Sequence, residues 1–318
     1  MATMTQAPTP SAETVRRLAR SLLTDSGTGA ASGTGPDVRP AVAGDEPATW
    51  WVGTRHVLRL APDREASARR RRELRLRDLV RPHVPIALPT CVAHGEWAPG
   101  LLAVLDTGLA GATAEEHAVS ALGEADLAGL LTGLREVPPR QAETLGVPRV
   151  SPRSLEALRR AAEAAAERLA EADEFDPARL GQLTPPAALQ LAAQPGTAVL
   201  VHHALTGRHL VVGADGRVRG VLGWDDAVVG DPAEDIAGLA RAAGAPAAVR
   251  AATLAGYGAR PCLRGLWLAR CDAVLHLAEA LTGRTADAPP ALRTRLRRAW
   301  EPILLERVTD LGDGEETV

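Results

Sequence analysis

Apolar residues in the first part of the chain follow first a helical and then a strand-like pattern. They recur every three or four positions over residues 12–23, and Ser11 stands before them as a typical N-cap, so a helix is predicted there. Two short apolar runs, residues 48–52 and 56–60, flank a turn at Gly53. This arrangement predicts two paired strands.

A long charged segment follows the paired strands. Residues 64–80 carry a helical pattern, and residues 101–105 form an apolar run typical of a buried strand. The helix holds the densest basic run of the chain, Arg69 to Arg72 with Arg75 and Arg77. We interpret this run as a solvated helix face, with binding of nucleic acid or of a partner as the alternative.

The pattern becomes mainly helical in the second part. Helices are predicted over residues 114–135 and 154–172, strands over 198–201 and 218–222, and helices again from 231 to 308. A small strand-containing half followed by a mostly helical half predicts an α+β protein of two lobes.

The same changes of pattern suggest the segment boundaries. We expect a tail, short helix and flexible linker over residues 1–36, an N-lobe over 37–106, a helical C-lobe over 107–310 and a disordered tail over 311–318.

Composition narrows the classes of function. The chain of 318 residues has a net charge of −3 with interspersed signs, which gives no electrostatic footprint for nucleic acid. It contains no apolar run of about 18 residues and no basic-then-apolar start, so we expect a cytoplasmic protein without a membrane partner.

Aromatic residues make up 3%, so Leu, Val and Ala must fill the core. The chain has no Lys, so any cation that contacts a phosphate must be Arg.

Two segments carry a family resemblance. Residues 199–212 read VLVHHALTGRHLVV, and residues 216–240 read GRVRGVLGWDDAVVGDPAEDIAGLA. Together they resemble the catalytic and metal loops of the aminoglycoside and macrolide phosphotransferases, and weaker similarity extends over about residues 38–300. The resemblance implies a bilobal, protein-kinase-like fold with a small antiparallel N-lobe sheet and a mostly helical C-lobe. It also implies that Arg59 contacts phosphate, that Glu73 pairs with Arg59, and that Asp235 supports the catalytic loop.

The chain departs from the family at the chemical positions. In the family, one Asp of the first motif accepts the proton of the substrate hydroxyl, and one Asp of the second motif holds the magnesium ion. In register, these positions are Ala204 and Gly223, while His209 stands where the family has an Asn or His ligand. The resemblance therefore identifies a degenerate member that lacks both aspartates, for which we expect no cofactor and no metal site; Mg-ATP or Mg-GTP is the alternative.

Nearby polar residues are the candidates for chemistry. Asp225 would point to the same side as residue 223 if the chain were extended there, and Asp226 offers a second carboxylate. His203 is a candidate base, because imidazole accepts protons near neutral pH. Arg208 either fills the phosphate region or binds an anionic ligand.

Two weaker candidates remain beside these. A transition-metal site built from His202, His203, His209 and Asp225 is possible in residue type, but its spacing matches no familiar pattern. Residues 43–46, with one glycine and two acids, make a weak phosphate cradle.

Three functions follow. The first is a repurposed enzyme that binds or converts a small natural-product-like molecule by cyclisation, rearrangement or acid–base chemistry without nucleotide. The second is a non-catalytic pseudokinase that acts by binding a ligand or partner. The third is a divergent antibiotic phosphotransferase that uses Asp225 and His203. The sequence leaves the substrate, the reaction and the oligomeric state open.

Overall fold

A computed structural model describes residues 9–27, 35–41, 49–194, 196–285 and 287–303. The weak phosphate cradle at residues 43–46 and the C-terminal tail lie outside the described residues, as do most of the N-terminal tail and the flexible linker.

The N-terminal lobe is an antiparallel sheet in the order β1-β2-β3-β5-β4. Its strands are β1 (Val38–Pro40), β2 (Thr49–Val52), β3 (His56–Leu60), β4 (Cys91–Ala98) and β5 (Leu101–Thr107). Helix α1 (Ala12–Asp25) precedes the sheet, and helix α2 (Arg64–Val80) connects β3 to β4. The predicted helices and paired strands are confirmed, whereas β4 is not predicted by the pattern because Gly95 and Glu96 interrupt it.

The two faces of the sheet have different neighbours. Leu58 and Leu60 of β3 belong to one apolar cluster with Val15 of α1. Because successive side chains of a strand point to opposite faces, Arg59 faces away from α1. On that face Arg59 contacts Glu73 of α2. The alternation of side chains along β3 therefore places Arg59 against α2.

The C-terminal lobe is mostly helical with short strands. Its helices are α3 (Ala121–Glu136), α4 (Pro139–Thr144), α5 (Leu155–Glu171), α6 (Pro185–Gln190), α7 (Ala233–Ala243), α8 (Ala245–Leu254), α9 (Ala259–Leu281) and α10 (Pro289–Ala299). Its strands are β6 (Ala112–Thr113), β7 (Val199–Val201), β8 (Leu210–Val212), β9 (Val218–Val221) and β10 (Val228–Gly230). The core of this lobe consists mainly of Leu, Val and Ala, as the low aromatic content predicts.

Some predicted helices begin or end elsewhere. Helix α3 begins at Ala121 and not near residue 114, because the Ser120 side chain caps it. The helices predicted from residue 231 onward are α7 to α10, with breaks that include Gly244 and Gly258.

The interpretation of the basic run on α2 as a solvated face is wrong for Arg70 and Arg77, whereas Arg71 and Arg75 are exposed. Arg70 and Arg77 are buried inside the lobe. Arg72 donates to the Asp225 carbonyl oxygen at 2.8 Å, and Arg75 donates to the Leu145 carbonyl oxygen at 3.4 Å. Arg72 and Arg75 therefore link the two lobes, because their long side chains reach carbonyl oxygens across the interface.

Among the helices in these ranges, none combines the length and the apolar content needed to cross a bilayer.

Candidate functional site

Two antiparallel strand pairs bring the motif residues together. β10 pairs antiparallel with β7, and Val228 lies opposite Val201, the residue before the loop 202–209. β8 pairs with β9, and the Leu222 N–H donates to the His209 carbonyl oxygen at 2.9 Å. The end of the first motif therefore lies directly beside Gly223 of the second.

Asp235 fixes the start of the loop. Its carboxylate is buried near the beginning of α7 and accepts the backbone N–H groups of His202 and His203, both at 2.8 Å. Burial raises the pKa of Asp235 to about 7, and the two N–H bonds oppose this shift. These two bonds hold the start of the loop in place, which is the supporting role that the resemblance implies for Asp235.

His202 has a structural environment. Its Nε2 lies 2.8 Å from the Leu222 carbonyl oxygen, and its Nδ1 accepts from the Ala204 N–H at 3.3 Å. The ring packs on the Trp224 edge with centroids 4.6 Å apart. Burial lowers the pKa of His202 to about 3. The ring is therefore neutral, and neither nitrogen is left to bind a metal.

His203 holds an unusual backbone conformation. Its φ is +69°, in the left-handed region, at a position where the family motif has glycine. A side chain there costs roughly 1–3 kcal/mol of conformational free energy. The side chain is exposed on the loop, while its own N–H is held by Asp235. The exposed imidazole is therefore carried by a backbone segment that the bond to Asp235 holds in place.

His209 occupies the space beside both departures from the family. Its Nδ1 lies 2.5 Å from the Ala204 carbonyl oxygen, so Nδ1 carries the hydrogen because a carbonyl can only accept. A Cβ built on Gly223 would lie 2.7 Å from Nε2 of the same ring. Gly223 has φ +75°, which also disfavours a side chain.

The extended chain on which the expectation for Asp225 depends is not present. Residues Trp224–Asp226 form a 3-10 turn and not an extended segment. Gly223 precedes this turn in a left-handed conformation, so the side-chain alternation of an extended strand does not apply to Asp225. Asp226 is exposed beside it.

The transition-metal alternative finds no support. Across the described residues, no group of three or more His, Cys, Asp or Glu side chains is placed to hold a metal ion. Both nitrogens of His202 are engaged, and its ring centroid lies 6.0 Å from that of His209.

The predicted partner of Arg59 is present within a larger ionic cluster. Arg59 Nη2 donates to Glu73 at 3.0 Å and to Asp106 at 2.9 Å, and Arg77 Nη2 donates to Asp106 at 2.8 Å. Burial opposes ionisation of Asp106, but the two guanidinium groups outweigh it and hold its pKa below the ordinary value. Sequence reasoning missed Asp106 and Arg77, although Arg77 is four residues after Glu73 on α2.

Arg208 lies in a network of ion pairs within the C-terminal lobe. It donates to Asp287 at 3.1 Å and lies 3.6 Å from Glu115. Arg295 contacts the same two carboxylates, at 2.6 Å and 3.0 Å. The four side chains form a closed ring of alternating charge, so Arg208 is held by acidic side chains of its own lobe.

Comparison with known proteins identifies the family. A sequence model described as the phosphotransferase enzyme family matches residues 37–266. The chain belongs to this family. A search of curated protein sequences finds no match.

Solved structures of similar fold include proteins named as aminoglycoside, macrolide and spectinomycin phosphotransferases. The GDP complex of aminoglycoside 2'-phosphotransferase-IIIa is 19% identical, with a TM-score of 0.61 over 83% of this chain and 92% of that one. Macrolide 2'-phosphotransferase MphH from Brachybacterium faecium is 21% identical, with a TM-score of 0.55 over 85% and 96%. Spectinomycin phosphotransferase APH(9)-Ia, solved with ADP and spectinomycin, is 10% identical, with a TM-score of 0.59 over 96% and 99%. The kinase-like, bilobal α+β fold expected of this phosphotransferase family member is therefore confirmed.

Proposed function

We propose that this phosphotransferase-fold protein has lost magnesium-nucleotide phosphoryl transfer and binds or converts a small, natural-product-like molecule in the cleft between its lobes. The contact between His209 and Gly223 carries this proposal. A ring nitrogen stands 2.7 Å from where the first carbon of any side chain at residue 223 would lie. The position that the family resemblance assigns to the metal-holding carboxylate thus has no side chain and a neighbour that fills its space.

The donor set does not fit magnesium. This ion prefers oxygen ligands in near-octahedral geometry, usually with one or two carboxylates. Ala204 offers a methyl group, and His209 presents ring nitrogens, one of which is already bonded to the Ala204 carbonyl. Asp225 belongs to the 3-10 turn. No step of the proposed chemistry passes through a magnesium-bound nucleotide.

His203 is the proposed proton carrier. Its backbone is pinned through the Asp235 carboxylate, and its side chain is exposed. Strained backbone of this kind is most often kept where it serves a function. In the proposed step, His203 takes a proton from one position of the bound molecule and returns it at another. The step is therefore a rearrangement that conserves atoms and electrons and needs no co-reactant.

The ion pairs around Arg208 favour a substrate with few positive charges on that side of the loop. A polycationic aminoglycoside needs carboxylates that are free to receive its ammonium groups. Glu115 and Asp287, which neighbour the loop through Arg208, already share the cations Arg208 and Arg295. We therefore propose a neutral or weakly charged natural-product-like molecule as the substrate.

Thermal unfolding with nucleotides tests the first half of the proposal. The purified chain is unfolded with millimolar ATP or GTP, each with and without magnesium, and the midpoints are compared. We expect no magnesium-dependent shift. A nucleotide at 100 times its dissociation constant would add about 2.7 kcal/mol, which is several degrees, and such a shift would contradict the proposal.

A panel of neutral natural products tests the second half. We expect at least one compound to raise the unfolding midpoint and to be converted by the wild type but not by His203→Gln, which keeps a polar side chain but cannot carry the proton. Binding with no conversion by the wild type would overturn the catalytic part and leave a ligand-binding pseudokinase.

A further inference from the structure

A cavity lies at the end of β7 that is remote from the loop 202–209. It has a volume of about 320 Å³, and its lining includes Val199, Arg135, Tyr257 and Arg260. Val199 begins β7, whereas His203 follows the end of the strand, so roughly 13 Å of extended chain separates them. Neither His203, His209 nor Gly223 lines this cavity.

The cavity has an excess of positive charge. In the part of the chain that the structure describes, neither Arg135 nor Arg260 has a carboxylate partner; Arg135 donates to the Gly256 carbonyl oxygen and Arg260 to that of Gln190. The acidic side chain in the lining, Asp231, is paired with Arg264 at 2.6 Å. Two guanidinium groups therefore border the space without a compensating charge.

The N-terminus of α9 adds to this positive field. Arg260 and Pro261 of its first turn line the cavity. The N-cap is Gly258, which has no side chain to receive the free N–H groups, and the first turn contains no acidic residue. An uncapped N-terminus of a 23-residue helix carries a partial positive charge that favours anions.

Tyr257 provides an aromatic wall. The Arg135 guanidinium lies 5.3 Å from the centre of its ring. Burial raises the pKa of Tyr257 to about 12, so the phenol stays protonated and can donate a hydrogen bond. Ala192, Ala198 and Pro232 supply apolar surface in the same lining.

We propose that this cavity is a second ligand site, which binds a small organic oxyanion, a phosphate or carboxylate attached to a planar apolar group. The oxyanion lies between Arg135, Arg260 and the start of α9, and the planar group lies against Tyr257. The site is independent of the cleft function proposed above, because it shares none of the loop residues.

The single tyrosine of the chain makes the test specific. Full-length protein labelled with 3-fluorotyrosine gives one ¹⁹F resonance, from residue 257. Titration with phenyl phosphate should move this resonance to a saturating shift, whereas phenol, the neutral analogue, should bind at least tenfold more weakly. Benzoate, titrated in parallel, distinguishes a carboxylate ligand from a phosphate ligand.

Variants of the two cavity arginines test whether their positive charge binds the ligand. Arg135→Gln with Arg260→Gln should weaken phenyl phosphate binding at least tenfold. Arg284→Gln is the control, since Arg284 lies beyond the other end of α9, about 35 Å away along the helix, and it should leave the affinity within twofold. A thermal midpoint within a few degrees of the wild type shows that the double variant is folded.

Three outcomes would overturn the proposal. They are the absence of a saturable shift with both phenyl phosphate and benzoate, equal binding of phenol, and an unchanged affinity in the double variant.

Discussion

The imidazole of His209 stands over the Cα of Gly223, and its Nε2, Cδ2 and Cε1 atoms all lie within 2.9 Å of the place that a Cβ there would take. The same ring is fixed on its other side by the Ala204 carbonyl oxygen. One side chain therefore links the two positions at which the chain departs from the phosphotransferase motif. The histidine that the resemblance presents as a surviving ligand also packs against both of these positions in the loop.

This contact predicts a coupled effect on stability. Gly223→Asp should lower the free energy of unfolding by about 1–2 kcal/mol, because a side chain at φ +75° is strained and its Cβ meets the His209 ring. In a His209→Ala background the cost should be smaller, since the ring is removed. Urea unfolding of the wild type, both single variants and the double variant measures the coupling. An equal cost in the two backgrounds would show that the ring moves aside freely.

The left-handed backbone of residue 203 predicts an inverted preference between two small residues. In ordinary conformations Ala is more stabilising than Gly, because Gly loses more backbone freedom on folding. At φ +69° we expect His203→Gly to be more stable than His203→Ala by about 1 kcal/mol. Chemical denaturation of the two variants measures the difference in their free energies of unfolding. The ordinary order, with Ala above Gly, would mean that the loop relaxes when the imidazole is removed.

The burial of His202 predicts a loss of stability in acid. Its pKa is lowered to about 3 in the folded chain, below the ordinary value of 6.5. The folded state therefore binds the proton less readily than the unfolded state, so this contribution is complete above about pH 6.5 and falls as the pH drops toward 3.

His202→Gln isolates that contribution. The variant should be less stable than the wild type at pH 7.5, and the difference in free energy of unfolding should narrow between pH 6.5 and pH 4.5. Urea unfolding at several pH values measures it. A difference that stays constant over this range would contradict the assignment of a neutral ring.

The ionic cluster on α2 predicts very different costs for two arginines on one helix. Arg77 is buried against Asp106 and Glu73, so Arg77→Met leaves buried acidic charge less compensated and should cost about 3–5 kcal/mol. Arg69 forms an exposed pair with Glu65, so Arg69→Met should cost less than about 1 kcal/mol. Equal costs in thermal or urea unfolding would show that the cluster contributes no more than a surface pair.

Local features were readable from the sequence by itself. The Ser11 cap, the helix Arg64–Val80 and the strand Leu101–Thr107 depend on neighbouring residues, and periodicity and capping express such short-range preferences. The long contiguous motif near Gly223 also gave the family and hence the bilobal fold. The identities of Ala204 and Gly223 follow once the motif is aligned.

The tertiary structure alone decided how the polar side chains are used. Nothing in the basic run of α2 distinguishes Arg77, which faces Asp106, from Arg69, which faces solvent, and Asp106 lies 47 positions from Arg59 in the chain. The turn at Trp224–Asp226 replaces the extended segment assumed for Asp225, and the ring with Glu115 and Asp287 gives Arg208 its partners. Charged side chains pair with whatever the packing of distant elements brings within about 3 Å. That choice is made by the assembled core and not by the spacing of residues along the chain.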